Sequence, residues 1–378
     1  MTSTFHGLEV AKRALFAQQA ALYTTSHNIA NANTEGYTRQ RVNFNQVSTL
    51  SPSRSNSLFD AQIGSGVEAG SIERIRDKFL DLQYRRESSK LGYYESLSSS
   101  YLQMEEIMNE PSDTGLAKTM DQFWQSLQDL SVNPEDSGAR SVVVERGIAV
   151  ADTFKYLSNS LQSVKSNLEE EINVTTKEVN SILTQISAVN KQISEIEPHG
   201  YLPNDLYDER DRLIDKLSGI VNVSVSYQDS GGQPNPIATG LAKIQLANSS
   251  GEAVSPPVTL VDYPIGSGEP EDFVNEIEVE IVGSTVNAIK VDGQDYTGAD
   301  FPSSGKIKAL VEAYGYQDGA DVKGIYPAML NDLDEMAYEF ANAFNTAHQQ
   351  GFDLEGNSGG AFLCSKWYTT RCGSEFKC

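Results

Sequence analysis

VADTFKYLSNSLQSVKSNLEEEINVTTKEVNSILTQISAVNKQISEI, residues 150–196, sets the fold class. Val150, Phe154, Leu157, Leu161, Val164 and Leu168 step by 4 and 3, and Ile172, Thr175, Val179, Ile182, Ile186, Val189, Ile193 and Ile196 resume the alternation. This is the seam of a coiled-coil-type helix. Two successive steps of four, at 164–168 and 168–172, form a stutter that unwinds a supercoil locally. The helical pattern covers about 137–197, and Pro198-His199-Gly200 ends it. At ~1.5 Å per residue such a helix is roughly 90 Å long, too long to wrap a compact globule. It requires a rod, packed against a second long helix.

That second helix is expected over 71–109, where Ile72, Ile75, Phe79, Leu82, Tyr93, Leu97, Tyr101, Met104 and Met108 keep helical spacing until Pro111. A shorter helix follows at about 113–131, with Phe123, Trp124, Leu127 and Leu130 as its apolar face and Asn133-Pro134 closing it. Another short helix is expected at 203–218. From 221 to 301 the composition shifts to Gly, Pro, Ser, Val and Ile. Val221, Val223 and Val225 alternate with polar residues, as do Ile277, Val279 and Ile281, and Asp292-Gly293 marks a turn. This predicts an inserted β domain. Helices return at 304–316 and 325–349, the second with Met329, Leu333, Met336, Phe340 and Phe344 on its buried face.

At the other end, Leu8, Ala11, Leu15, Gln18, Leu22, Thr25 and Ile29 form a second heptad seam on a helix expected over 4–32. Ala14, Ala17 and Ala21 beside it permit close approach of another element. With its seam unpartnered, residues 1–35 are expected to be disordered in a monomer or paired between chains. Residues 37–70 read as extended and polar, broken by Ser51-Pro52-Ser53 and Gly64-Ser65-Gly66. The predicted fold is therefore mixed and mainly α: a long antiparallel helical rod with an inserted β domain and an N-terminal coiled-coil-type helix. The divisions are an N-terminal helix (1–35), a linker arm (36–70), the first part of the rod (71–220), the β domain (221–301), the returning rod (302–363) and a tail (364–378).

Composition narrows the function classes. Lys and Arg number 29 against 52 Asp and Glu, a formal charge of -23. Nucleic acid and anionic membranes would be repelled by such a surface. Cys364, Cys372 and Cys378 all lie in the tail, so the body has neither a disulfide framework nor a thiolate metal site. In residues 1–30 the apolar residues are interleaved with Gln, Thr and Ser, so no secretory h-region is present. Either the chain stays in the cytoplasm or it leaves by a route without signal cleavage.

Motifs for chemistry are weak. His6, His27, His199 and His348 have no metal-ligand spacing. Gly356-Asn357-Ser358-Gly359-Gly360 matches GxSxG, but a helix rather than a strand precedes it, and a flexible loop is expected. A hydrolase using Ser358 is the alternative of a different class. Ser304-Gly305-Lys306 lacks the rest of a phosphate loop. Asp205, Asp208, Glu209, Asp211 and Asp215 interleave with Arg210, Arg212 and Lys216, which reads as a salt-bridged helix face rather than a metal site. No cofactor, metal or catalytic residue is expected.

One motif is specific. Ser26-His-Asn-Ile-Ala-Asn-Ala-Asn-Thr-Glu-Gly-Tyr37 resembles the signature of the bacterial flagellar rod, hook and hook-associated axial superfamily. Gly7–Tyr23, Asp205–Ser218, Gly305–Tyr314 and Asn345–Gly351 each resemble stretches of the first hook-associated family, the hook–filament junction proteins. The Asp-Glu-Arg-Asp run, residues 208–211, separates this family from hook or distal-rod proteins, the alternative within the superfamily. The resemblance implies a structural, non-enzymatic subunit that assembles with neighbouring copies of itself and with hook-side and filament-side proteins. It also implies export through the flagellar export apparatus, without signal cleavage, to the extracellular flagellum. The residues it implicates in assembly are Leu8, Leu15, Leu22 and Ile29 on the seam, and Asn28, Asn31, Thr34, Gly36 and Tyr37 in the turn. Family members end in a long helix that pairs with the N-terminal one; residues 364–378 do not continue into it.

Overall fold

The computed structural model describes residues 5–47, 66–108, 115–264, 268–352 and 356–363. The expectations for Ser51-Pro52-Ser53, Pro111 and the cysteine-bearing tail lie outside these residues. The chain divides into two compact units, residues 1–90 with 178–276 and residues 91–177 with 277–378.

The long helix α4 runs unbroken from Ser137 to Ile196 and contributes a part to each unit. Its seam is the core. Leu161, Ile172, Val179, Ile186 and Ile193 are all fully buried, and Val150, Phe154, Leu157, Leu168, Ile182 and Val189 are buried with them. Thr175, the polar member of the seam, is buried as well. Gly200, in a left-handed conformation at φ 82°, closes the short 3-10 turn that follows α4.

In the first unit, helix α1 (His6–Ala30) is followed by a hairpin of β1 (Gln40–Gln46) and β2 (Val67–Arg74). Ile72 belongs not to a helix but to β2, where it pairs with Val42, and helix α2 begins only at Lys78 and runs to Met108. Ile75, Phe79 and Leu82, expected on its buried face, are exposed, while Arg85 and Ser89 are buried. Helix α5 (Asn204–Ile220) packs close enough to α2 that Gly219 meets the Ser88 side chain. A three-stranded antiparallel sheet of β3 (Val223–Gln228), β4 (Leu241–Leu246) and β5 (Thr259–Asp262) completes the unit. Asn190 of α4 ties the sheet to the helix, donating to the Ala242 carbonyl at 2.8 Å and accepting from the Ala242 amide at 3.1 Å.

The second unit holds the rest of α2 and α4, helix α3 (Leu116–Val132), and a sheet in the order β10-β9-β7-β6, with β8 also on β7. Its strands are β6 (Ile277–Val282), β7 (Thr285–Val291), β8 (Gln294–Tyr296), β9 (Tyr316–Asp318) and β10 (Asp321–Lys323). Strands thus occupy the expected 221–301 insertion but are distributed over two sheets, and β9 and β10 lie beyond it. Helices α6 (Lys306–Tyr314) and α7 (Ile325–Gln349) follow the predicted spans closely. The Tyr93 hydroxyl donates to Glu312 at 2.6 Å and the Tyr326 hydroxyl donates to the Ser100 carbonyl at 3.0 Å, binding α2 to α6 and α7. Phe123 packs against Phe344 and Phe362, but Trp124 and Met336, expected in the core, are exposed. The fold is mainly helical with inserted strands, as the periodicity indicated.

Candidate functional site

The motif at 28–37 closes on itself. Helix α1 ends at Ala30, and Asn31 takes over. Its side-chain amide donates to the His27 carbonyl at 3.1 Å, and its Oδ1 accepts from the Thr34 hydroxyl at 3.2 Å. The backbone continues the turn, Thr34 N–H to Asn31 and Tyr37 N–H to Thr34. Gly36 then turns the chain with φ at 80°. A β-carbon there would be strained, by about 1–2 kcal/mol for the left-handed backbone alone. It would also sit 3.0 Å from Cγ of Arg212, tighter than ordinary contact.

Asn28 joins the helix to the hairpin. Its Oδ1 accepts from the Gln40 amide at 2.9 Å and the Tyr37 hydroxyl at 2.7 Å, while its Nδ2 donates to the Gln40 carbonyl at 2.8 Å. The side chain thus pairs with Gln40 as a neighbouring strand would. His27 lies edge-on to the Tyr37 ring, centroids 5.5 Å apart. Burial, with the carboxylates Asp208 and Asp205 nearby, pushes the Tyr37 phenol above its ordinary range.

These carboxylates belong to a ladder on α5. Asp205, Asp208, Asp211 and Asp215 share one face of the helix at spacings of 3 and 4. The sequence suggested that the interleaved Arg and Lys neutralise them. The cations come instead from far along the chain. Arg74 donates to Asp208 and Asp211, each at 2.8 Å. Arg76 reaches Asp215 at 3.0 Å, and Arg85 reaches it at 2.7 Å. Asp208 also accepts from the Thr38 amide at 3.1 Å, and Asp205 from the Gln40 side chain at 3.2 Å. Burial works to raise the Asp211 carboxyl, but Arg76, Arg74 and Arg210 outweigh it and hold it below the ordinary carboxylate value. Arg210 points the other way. It is fully buried, lies over the rings of Tyr207 and Tyr227, and donates to the Gly240 carbonyl at 2.6 Å. Of the interleaved cations, Arg212 pairs with Glu209 and Lys216 with Glu178.

The two faces of α1 differ. Ala17 and Thr24 are buried. The seam residues Leu8, Leu15, Leu22 and Ile29 are 67%, 59%, 67% and 71% exposed. The small-residue face is therefore packed within the unit. The structure brings Asn28, Asn31, Thr34, Gly36 and Tyr37 together in one turn and leaves the four seam residues on a separate, open face.

Other candidates stay apart from this. Ser358 bridges back to Phe352 in a loop after α7, not at the strand–helix elbow a nucleophilic serine needs. Among the described residues no group of His, Cys, Asp and Glu is arranged to hold a metal ion, and no helix is long and apolar enough to cross a membrane.

Comparison with known proteins agrees with the geometry. Residues 101–363 match the model of the flagellar hook-associated protein FlgK helical domain, and residues 8–38 match that of the flagella basal body rod protein. The chain is 46% identical to flagellar hook-associated protein 1 of Bacillus subtilis over 96% of its own length and 71% of that protein's. It is 30% identical to the Escherichia coli protein of the same name, over 93% of this chain and 59% of that one. The flagellar hook junction protein FlgK from Burkholderia pseudomallei shares the fold, with a TM-score of 0.53 at 20% identity, covering 75% of this chain and 46% of that chain. On these matches, the chain belongs to the flagellar hook-associated protein 1 family.

Proposed function

We propose that this protein is a structural subunit of the bacterial flagellum that joins hook to filament, and that it assembles through the open face of α1. The observation that carries the reading is the seam. Four large apolar residues at heptad spacing are exposed in this chain on a helix whose opposite face is already packed, and the resemblance implies that a C-terminal family helix covers part of them before copies assemble. Burying one leucine is worth about 1.5–3 kcal/mol. Four such positions supply several kcal/mol toward association, from which the cost of lost freedom is subtracted. The turn at 28–37 gives the seam its direction, so Asn28, Asn31, Thr34, Gly36 and Tyr37 act in assembly through geometry rather than contact.

The partners on this reading are neighbouring copies, hook-side and filament-side proteins, and the flagellar export apparatus. The protein works outside the cell and is exported without signal cleavage. The names of its relatives support the junction over a hook or distal-rod role, because the rod-protein match covers only residues 8–38. Electron microscopy of a strain lacking the gene tests the reading. The expected result is hooks without filaments, with filament subunits accumulating in the medium. Normal filaments in that strain would contradict it.

A further inference from the structure

The ladder on α5 does more than neutralise charge. Asp208 holds both passages of the chain through the hairpin: the Thr38 amide at its entry, 3.1 Å away, and the Arg74 guanidinium at its exit, 2.8 Å away. In the register of β1 and β2, Arg74 lies opposite Gln40. Gln40 is in turn the residue that Asn28 of α1 grips through both backbone groups. A path of side-chain hydrogen bonds and one cross-strand pairing, Arg74 beside Gln40, therefore runs from one carboxylate on α5 to the helix that carries the seam. Two further ties lie along it. Asn204, at the start of α5, donates to the Ile72 carbonyl at 2.9 Å, and Gly36 rests on the Arg212 stem.

We propose that Asp208 and Arg74 form a pre-set joint that fixes the direction of the N-terminal arm before any two copies meet. The inference rests on the assembly reading of the seam and adds two positioning residues to it. The physical case is burial. The Arg74 and Asp208 side chains are each only 9% exposed and Asp211 only 3%. Exposed pairs are screened by salt and contribute little, whereas a buried pair keeps its geometry in salt, and losing one member leaves an uncompensated charge. An arm held this way is ordered in the free subunit, so its ordering entropy is not lost again at assembly.

The test measures arm direction in the isolated protein. Spin labels go at Gln19 on α1 and Gln192 on α4, both exposed and both in the first unit, with Cys364, Cys372 and Cys378 replaced by serine. The parent is expected to give one narrow distance distribution that persists at high salt. Asp208→Ala is expected to lose that single distribution. Asp208→Asn, which keeps an oxygen for the Thr38 amide, is expected to lose less of it. Arg74→Gln approaches the joint from the hairpin side, so the test survives if the α5 variant fails to fold. A narrow, unshifted distribution in Arg74→Gln and in every folded Asp208 variant would overturn the joint, whatever the variants do in cells. A broadened arm with normal filament number in cells would overturn its role in assembly while leaving the seam reading intact.

Discussion

Replacing Asp211 with alanine is expected to destabilise the first unit by about 3–5 kcal/mol, the range for removing one member of a buried ion-pair network. Asp211 faces Arg74 at 2.8 Å and both Arg76 and Arg85 at 3.5 Å. Alanine would leave three partly or fully buried guanidinium groups with too few carboxylates between them. The control is Glu209→Ala. Glu209 pairs with Arg212, but both side chains are more than a third exposed, and about 0–1 kcal/mol is expected. Denaturant unfolding, with hydrogen exchange of the α5 amides to assign the unit, separates the two. The same carboxylate gives a pH dependence. Its folded-state value lies below the ordinary 3.8, so its contribution is complete above that pH and is lost as pH falls through the lowered folded value. Asp211→Ala should therefore flatten the acid limb of the stability curve. An effect no larger than that of Glu209→Ala would show that the ladder is not a buried network.

Leu161→Ala and Ile186→Ala are each expected to cost about 2–5 kcal/mol, the loss from emptying a fully packed core position. Leu161 and Ile186 have no exposed surface at all, and they lie in different units. Glu170, on the solvent side of the same helix, is expected to change stability by less than about 0.5 kcal/mol when replaced by alanine. Thermal or denaturant melting of the three variants tests this. Small, equal effects would mean that α4 is not packed along its seam.

The sequence was most legible where a period was long. Fourteen seam positions from Val150 to Ile196 specify α4, and most of them are buried as their spacing requires. Ile72 and Ile75 were misread because a spacing of three over two residues does not distinguish helix from strand, and the strand that pairs with Ile72 lies about thirty residues earlier. The strands β9 and β10, three residues each around Gly319, are too short for any period to register. Trp124 and Met336 sit at core spacing yet face solvent, because spacing places a residue on a helix face without saying what covers that face.

The site divides in the same manner. The turn was legible because its parts are local: Asn31 bonds to His27 and Thr34, and Asn28 reaches only as far as Gln40. The ladder was legible as a cluster of five acids, Glu209 among them, on a salt-bridged helix, but not its distant partners. Arg74, Arg76 and Arg85 lie 126 to 139 residues before the carboxylates they serve, by the numbers of the pairs Arg85–Asp211 and Arg76–Asp215. Of the interleaved cations, Arg212 does pair locally with Glu209, but Arg210 turns away from the ladder. Only the hairpin's register, which is tertiary information, brings Arg74 to Asp208.

On the proposed function, the outward seam of α1 drives assembly. Leu15→Glu with Leu22→Glu tests it most directly, because both positions are exposed in the isolated chain and neither contributes to the packed face at Ala17 and Thr24. The double variant replaces the chromosomal copy, and attached filaments and secreted filament subunits are counted. A protein that melts like its parent and is exported is expected, with few attached filaments and abundant free subunits in the medium. Parental filament numbers with no leakage would contradict it.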